Sequence, residues 1–175
     1  MMGDYDCMGA PPMSEYDIQN LKFLVVDDDA NMRQLIRTIL SSLGVKHLET
    51  ASGTDQGYAL LANFAADIAI CDLRMDPLDG IEFTRMVRTR EDNPNIYLPI
   101  IMLTGHAEVA AVESARETGV HEFLIKPVSP TKLYKTIQGL IENPRLFIRS
   151  KDYFGPDRRW RQDPKYKGPE RRKRT

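Results

Sequence analysis

The first 143 residues predict an α/β domain built on a five-stranded parallel sheet. Three observations carry this. Short apolar runs alternate five times with amphipathic helical stretches, the pattern of β–α units joined by right-handed crossovers, with helices on both faces. The strongest runs, such as Leu21–Val26 and Leu98–Leu103, are nearly continuous rather than alternating, as strands buried on both faces are. Four of the runs end at an acid, a hydroxyl or an ammonium group. That is the edge where open parallel sheets place their chemistry.

Taken in order, residues 1–20 have no sustained period and read as a flexible lead-in. Leu21–Val26 is the first strand and stops at Asp27-Asp28-Asp29. Met32, Leu35, Ile36, Ile39, Leu40 and Leu43 then form one helical stripe, ended by Gly44 as a left-handed cap. Val45–Ala51 is a weaker second strand, and Ser52-Gly53-Thr54 turns into a helix carrying Tyr58, Leu60, Leu61 and Phe64. Asp67–Asp72 is the third strand, and a turn rich in Pro, Asp and Gly follows. The next helix, from Gly80, points Ile81, Phe83, Met86 and Val87 inward and Arg85, Arg88 and Arg90 outward. Leu98–Leu103 is the fourth strand, ending at Thr104-Gly105. A fourth helix runs from about Ala107 to Thr118 and is stopped by Gly119. Glu122–Ile125 is the fifth strand and ends at Lys126-Pro127. The fifth helix begins near Pro130 behind the N-cap Ser129 and stops at Asn143-Pro144. Spacing alone leaves the strand order open.

The net charge of −1 hides an asymmetry, because residues 144–175 hold 12 of the 24 Lys and Arg but 4 of the 25 Asp and Glu. This basic, Pro- and Gly-rich tail shows no helical or strand period and is expected to be extended or partner-docking. Within it Gly155-Pro156-Asp157-Arg158-Arg159 recurs as Gly168-Pro169-Glu170-Arg171-Arg172, with Tyr153, Phe154, Trp160 and Tyr166 interleaved. Such a segment could bind nucleic acid through phosphates and stacking, remain a solvated linker, or fold back onto the acidic body. A tail that orders on a protein partner is the preferred reading. It is too short and too rich in Pro and Gly for a DNA-reading domain. Cys7 and Cys71 make no disulfide framework, which points to a reducing compartment. No stretch approaches the roughly 20 apolar residues of a membrane span, and the N-terminus lacks the pattern of a signal peptide. A cytoplasmic protein with no membrane insertion is expected.

The polar strand ends are Asp27 and Asp28, Asp72, Thr104 and Lys126. Any one of them alone is more often loop chemistry. Together they converge on one crevice, where clustered carboxylates are tolerable only with a cation. All-oxygen ligands suit a hard ion, Mg²⁺ above all. Thr104 as a donor and Lys126 as a point charge would then receive an anion. The set describes a carboxylate that accepts a phosphoryl group. His47, His106 and His121 have no ligand spacing.

Over roughly Leu21 to Asn143 the chain resembles the receiver domains of two-component response regulators. The matching pieces are Leu-Lys-Phe-Leu-Val-Val-Asp-Asp, Ala-Ile-Cys-Asp-Leu-Arg-Met, Asp-Gly-Ile-Glu, Ile-Met-Leu-Thr-Gly and Phe-Leu-Ile-Lys-Pro, in that order. The resemblance implies a flavodoxin-like sheet of order 2-1-3-4-5 and phosphorylation of Asp72 by a sensor histidine kinase or a histidine phosphotransfer protein. It implies Mg²⁺ held by Asp28, Asp72 and the Arg74 carbonyl, with Asp27 acting mainly through a metal-bound water. Thr104 and Phe123 would be the switch pair, and Lys126 would bridge to the phosphoryl group. Arg74 and His106 would tune its lifetime. Output would pass through the face of the fourth helix, fifth strand and fifth helix, to a protein partner or a second copy. Such a protein signals and is not an enzyme in the usual sense. The chain departs from the family where Asp76 replaces the usual Pro, with Pro77 one later, and where Phe123 replaces the commoner Tyr. Two rival readings are an aspartate-nucleophile phosphatase of the haloacid dehalogenase type and a pseudo-receiver that binds without accepting phosphate. Asp27-Asp28-Asp29-Ala30-Asn31 lacks the Thr that the phosphatase motif requires. The intact acid, Thr and Lys set argues against the pseudo-receiver.

Overall fold

The computed structural model describes residues 18–105, 115–150 and 153–157. Five parallel strands, β1 (Lys22–Val26), β2 (His47–Ala51), β3 (Ile68–Asp72), β4 (Ile100–Thr104) and β5 (Glu122–Ile125), pair in the order β2-β1-β3-β4-β5. Every residue of β3 and β4 is buried, which is why these two runs read as continuous apolar segments. β2 keeps an alternating pattern because it lies at the sheet edge.

Alternate side chains feed two cores. Phe23, Val25, Ile68, Ile70, Ile101 and Leu103 face one way, against Ile36, Ile39 and Leu40 of α1 (Ala30–Ser42) and Leu133 and Ile137 of the last helix, α4 (Pro130–Glu142). Leu24, Val26, Ala69, Cys71, Ile100 and Met102 face the other way, against Leu61 of α2 (Thr54–Leu61) and Phe83 and Val87 of α3 (Gly80–Thr89). Each fully buried Leu, Ile or Phe contributes roughly 1.5–3 kcal/mol, so these two layers are what hold the strand ends in place. The helix starts are capped by side chains that the sequence supplies. Asp29 accepts from the Asn31 amide, Asp79 from Glu82 and Ser129 from Lys132, each satisfying an otherwise orphaned donor.

Several sequence expectations need correction. Ile18 is buried, and Gln19 accepts from the Lys46 amide, so residues 18–20 already belong to the domain. The fourth strand begins at Ile100 rather than Leu98. Of the expected fourth helix, residues 115–117 are helical and the rest lies outside the described residues. Arg88 was expected to face solvent and is instead 5 % exposed. Its guanidinium donates to the carbonyls of Ile96, Leu98 and Gly119, a set of acceptors that no helical wheel reveals.

The start of the tail is not extended but folds back onto the domain. β6 (Phe147–Arg149) and β7 (Phe154–Pro156) form an antiparallel hairpin. Phe147 lies edge-on to Tyr97 at 5.0 Å and tilted against His121 at 5.3 Å. Arg145 is ion-paired with Glu122 of β5. Gly119, at φ +98°, sits where a Cβ would lie 2.9 Å from the Phe154 carbonyl. Strands of three residues containing Gly and Pro carry no readable period, and only this apolar seat gives them a reason to form. Residues 158–175, including the second copy of the repeat, lie outside the described residues.

Candidate functional site

The parallel arrangement sets the C-terminal ends of β1, β3, β4 and the Lys126 that follows β5 along one edge. Leu73 donates to Leu103, Lys126 donates to Thr104 and Asp27 donates to Ala51 through the backbone, extending the ladder past the strand ends. Asp27 is fully buried, Asp72 is 6 % exposed and Asp28 is exposed. One carboxylate oxygen from each of the three can be chosen so that all lie within 4.8 Å of one another. Lys126 Nζ approaches Asp72 Oδ1 at 2.8 Å and Asp27 Oδ2 at 3.5 Å.

The charges are not balanced, with three carboxylates facing one ammonium. Burial raises the pKa of Asp72 against the lowering effect of Lys126. Burial also raises Asp27, opposed by the Asp29 amide that donates to Oδ1 at 2.8 Å, while the neighbouring Asp72 adds to the rise. Burial works against the Lys126 charge, but its hydrogen bond and ion pair with Asp72 outweigh this and hold its pKa up. Asp27 Oδ2 is buried with no hydrogen-bond partner, and the Lys126 contact at 3.5 Å is too long to serve as one. A buried acceptor left so is costly. An orphaned carboxylate oxygen beside two further carboxylates is what a hard divalent cation with oxygen ligands fits.

Thr104 is 2 % exposed and its hydroxyl donates to the Gly105 carbonyl at 3.2 Å. Phe123 is half-buried, packs against the core layer that holds Leu24, Cys71 and Met102, and has the Arg116 guanidinium 5.9 Å from its ring centroid. Arg74 and Asp76 are exposed on the loop after Asp72, and the Asp76–Pro77 peptide is cis. His106 lies outside the described residues. His47 is exposed, whereas His121 is buried and accepts from the Ile100 amide through Nδ1. Burial, then Arg88 and Arg145, push its pKa down to about 3.

Two positioning residues escaped the sequence reading. Arg33 donates to the carbonyls of Asp27 and Asp28 at 2.7 and 3.0 Å, pinning the acidic loop. Gly80 abuts the phosphoacceptor candidate, since a Cβ there would lie 2.2 Å from the Asp72 carbonyl oxygen and 2.7 Å from Met102 Sδ. The Asp79-Gly80-Ile81-Glu82 run was a signal for a capped helix start, but the close backbone approach is a tertiary fact.

The model of the response regulator receiver domain matches residues 23–138. The chain belongs to the receiver family. The relatives agree with this. The chemotaxis protein CheY1 of Helicobacter pylori is 34% identical over 119 residues, spanning 67% of this chain and 94% of that protein. The transcriptional regulatory protein GlrR of Escherichia coli is 31% identical over 139 residues, 79% of this chain but 28% of its own length. Chemotaxis protein CheY4 of Vibrio cholerae superposes with a TM-score of 0.62 at 30% identity, over 67% of this chain and 96% of that one. The receiver domain of NtrX from Brucella abortus gives 0.63 at 27% identity, over 70% and 99%. Phosphorylation on an aspartate is general to the family, and so is an acidic pocket that takes Mg²⁺. No helix among the described residues is long and apolar enough to cross a membrane.

Proposed function

We propose that this chain is a stand-alone, cytoplasmic response regulator that takes a phosphoryl group on Asp72 and signals by protein contacts. The observation that carries the reading is the Asp72 carboxylate at the end of β3, paired at 2.8 Å with Lys126 and flanked by Asp27 and Asp28. The donor would be a phosphohistidine on a sensor kinase or a phosphotransfer protein. An Asp72 carboxylate oxygen bonds to phosphorus as the phosphorus–nitrogen bond breaks, and the electron pair leaves with the imidazole. Asp27, Asp28, Asp72 and the Arg74 carbonyl would hold Mg²⁺. When bound, it supplies charge neutralisation for the phosphoryl oxygens.

Lys126, already beside Asp72, would stay with the new anion. Thr104 would redirect its hydroxyl from Gly105 toward it, letting Phe123 repack. The altered face, made of β5, α4 and the preceding helix, would engage a protein partner or a second copy. Exposed Ile125 lies within it. The chain would be a signalling protein whose own chemistry is acceptance and hydrolysis of one phosphoryl group. Arg74 and His106 would set how long the acyl phosphate lasts.

The test is phosphotransfer from the host's histidine kinases to the wild type and to Asp72→Ala. One kinase should label the wild type within seconds to minutes and leave the variant unlabelled. Labelling of the variant, or none of either protein, overturns the reading. Replacing Arg74 and His106 with Asn and Glu should change the decay rate of the labelled protein, and equal rates would remove those two residues from the mechanism.

A further inference from the structure

At the end of the domain remote from Asp72, a cavity of about 440 Å³ opens between the hairpin, α3 and the turn at Gly119. Arg85, Arg88 and Arg149 line it, with Glu117 as the one acid among the described lining residues. Arg88 is buried, and the carbonyls of Ile96, Leu98 and Gly119 satisfy its donors without cancelling its charge. Among the described residues no carboxylate pairs with it. Burial lowers its pKa to about 9, which leaves it charged at neutral pH. The Arg149 guanidinium carbon lies over the Phe154 ring, 4.6 Å from its centroid. Arg85 is ion-paired with Glu82 on its own helix and keeps further donors. The hydroxyls of Thr89 and Thr118 donate to carbonyls within their own segments, so the guanidinium groups dominate the wall.

A buried cation without an acid partner is a standing electrostatic cost. It persists here beside two more guanidinium groups in a cavity of ligand size. Planar guanidinium donors match phosphate oxygens in pairs, and the Phe154 ring in the same wall offers an aromatic contact. We propose that this cavity binds a small phosphorylated molecule of nucleotide size, its phosphates held by the donors of Arg85 and Arg149, with the Arg88 charge behind them. The site exists only because the hairpin is docked, since Arg149, Ser150, Tyr153 and Phe154 form one wall. Occupancy would therefore tie the tail to the domain.

The experiment is calorimetric titration of the full chain with pyrophosphate and with GTP, in EDTA so that no cation recruits phosphate to the acidic site. It is read together with amide NMR shifts. Saturable binding should appear, tighter for GTP, with shifts at residues 85–89, 117–119 and 149–154. Arg85→Glu and Arg149→Glu should each weaken it by about tenfold or more, with thermal melts checking that both variants fold. Equal affinity for the two probes would overturn the nucleotide size. Absence of binding, shifts confined to residues 158–175, or affinity unchanged in both variants would overturn the site.

Discussion

Asp27 and Asp72 carry charge that the fold itself disfavours. Their pKa values are raised in the folded state, so the native protein binds protons more tightly than the unfolded chain. Stability should then fall as pH rises from about 4 through the raised values, and the deficit should persist at neutral pH. Lys126 stabilises at neutral pH where the two acids do not, yet its raised pKa gives the same slope: its contribution is full below the ordinary lysine value and is lost as pH climbs through the folded value. Lys126→Met should destabilise by roughly 1–3 kcal/mol at pH 7, and by much less at acid pH, where protonation of Asp72 removes the charge it pairs with, as urea melts at the two pH values would read. Asp27→Asn should raise the melting temperature of the metal-free protein by removing the orphaned charge. It should also blunt the stabilisation by Mg²⁺, which for the wild type reaches about 2.7 kcal/mol at a hundredfold excess over Kd. A larger Mg²⁺ shift in Asp27→Asn than in the wild type would refute the fit of the site to a cation.

At the scale of elements, two glycines decide how the pieces meet. Gly80 lets α3 start directly against the Asp72 backbone. Gly80→Ala must displace one of them, and a shift approaching 1 Å at a reacting group slows chemistry by on the order of a hundredfold. Phosphorylation of that variant by a small phosphodonor should be at least about tenfold slower than wild type, and an unchanged rate would show that the loop absorbs the methyl group. Gly119 has a left-handed backbone and also holds the seat of β7. Gly119→Ala adds backbone strain to a collision with the Phe154 carbonyl and should cost about 2–4 kcal/mol, with loss of hydrogen-exchange protection at 147–156. The sequence marked Gly119 as a helix stop and nothing more. Its second role depends on a hairpin about thirty residues later.

Across the whole molecule, the hairpin and the acidic site occupy opposite ends of the sheet. Gly119, His121 and Leu98 precede β5 and β4, whereas Asp72, Thr104 and Lys126 close or follow theirs. Asp157 thus lies at the end of the domain far from Asp72. Truncation after Asn143 removes the Arg145–Glu122 pair and the Phe147 ring, over which Arg88 lies at 5.2 Å. The shortened chain should melt several degrees lower, by the usual few degrees per kcal/mol for a domain of this size, yet still accept phosphate on Asp72. Loss of acceptance alongside an unchanged melting temperature would mean that the two ends are coupled in a way these contacts do not provide.

What the sequence determined alone is the sheet and which polar residues gather at its edge. Continuous apolar runs force strands to be buried on both faces. Strict β–α alternation then brings every strand end to one side, so Asp27, Asp28, Asp72, Thr104 and Lys126 could be grouped without coordinates. Tertiary structure alone decided which oxygen of Asp27 is orphaned, that Gly80 lies against Asp72, that Arg88 is buried, and that Phe147–Arg149 pairs with Phe154–Pro156. Those facts depend on distances between segments far apart in the chain. Local periodicity carries no information about such distances, and a buried arginine or a three-residue strand is stable only because of what packs against it.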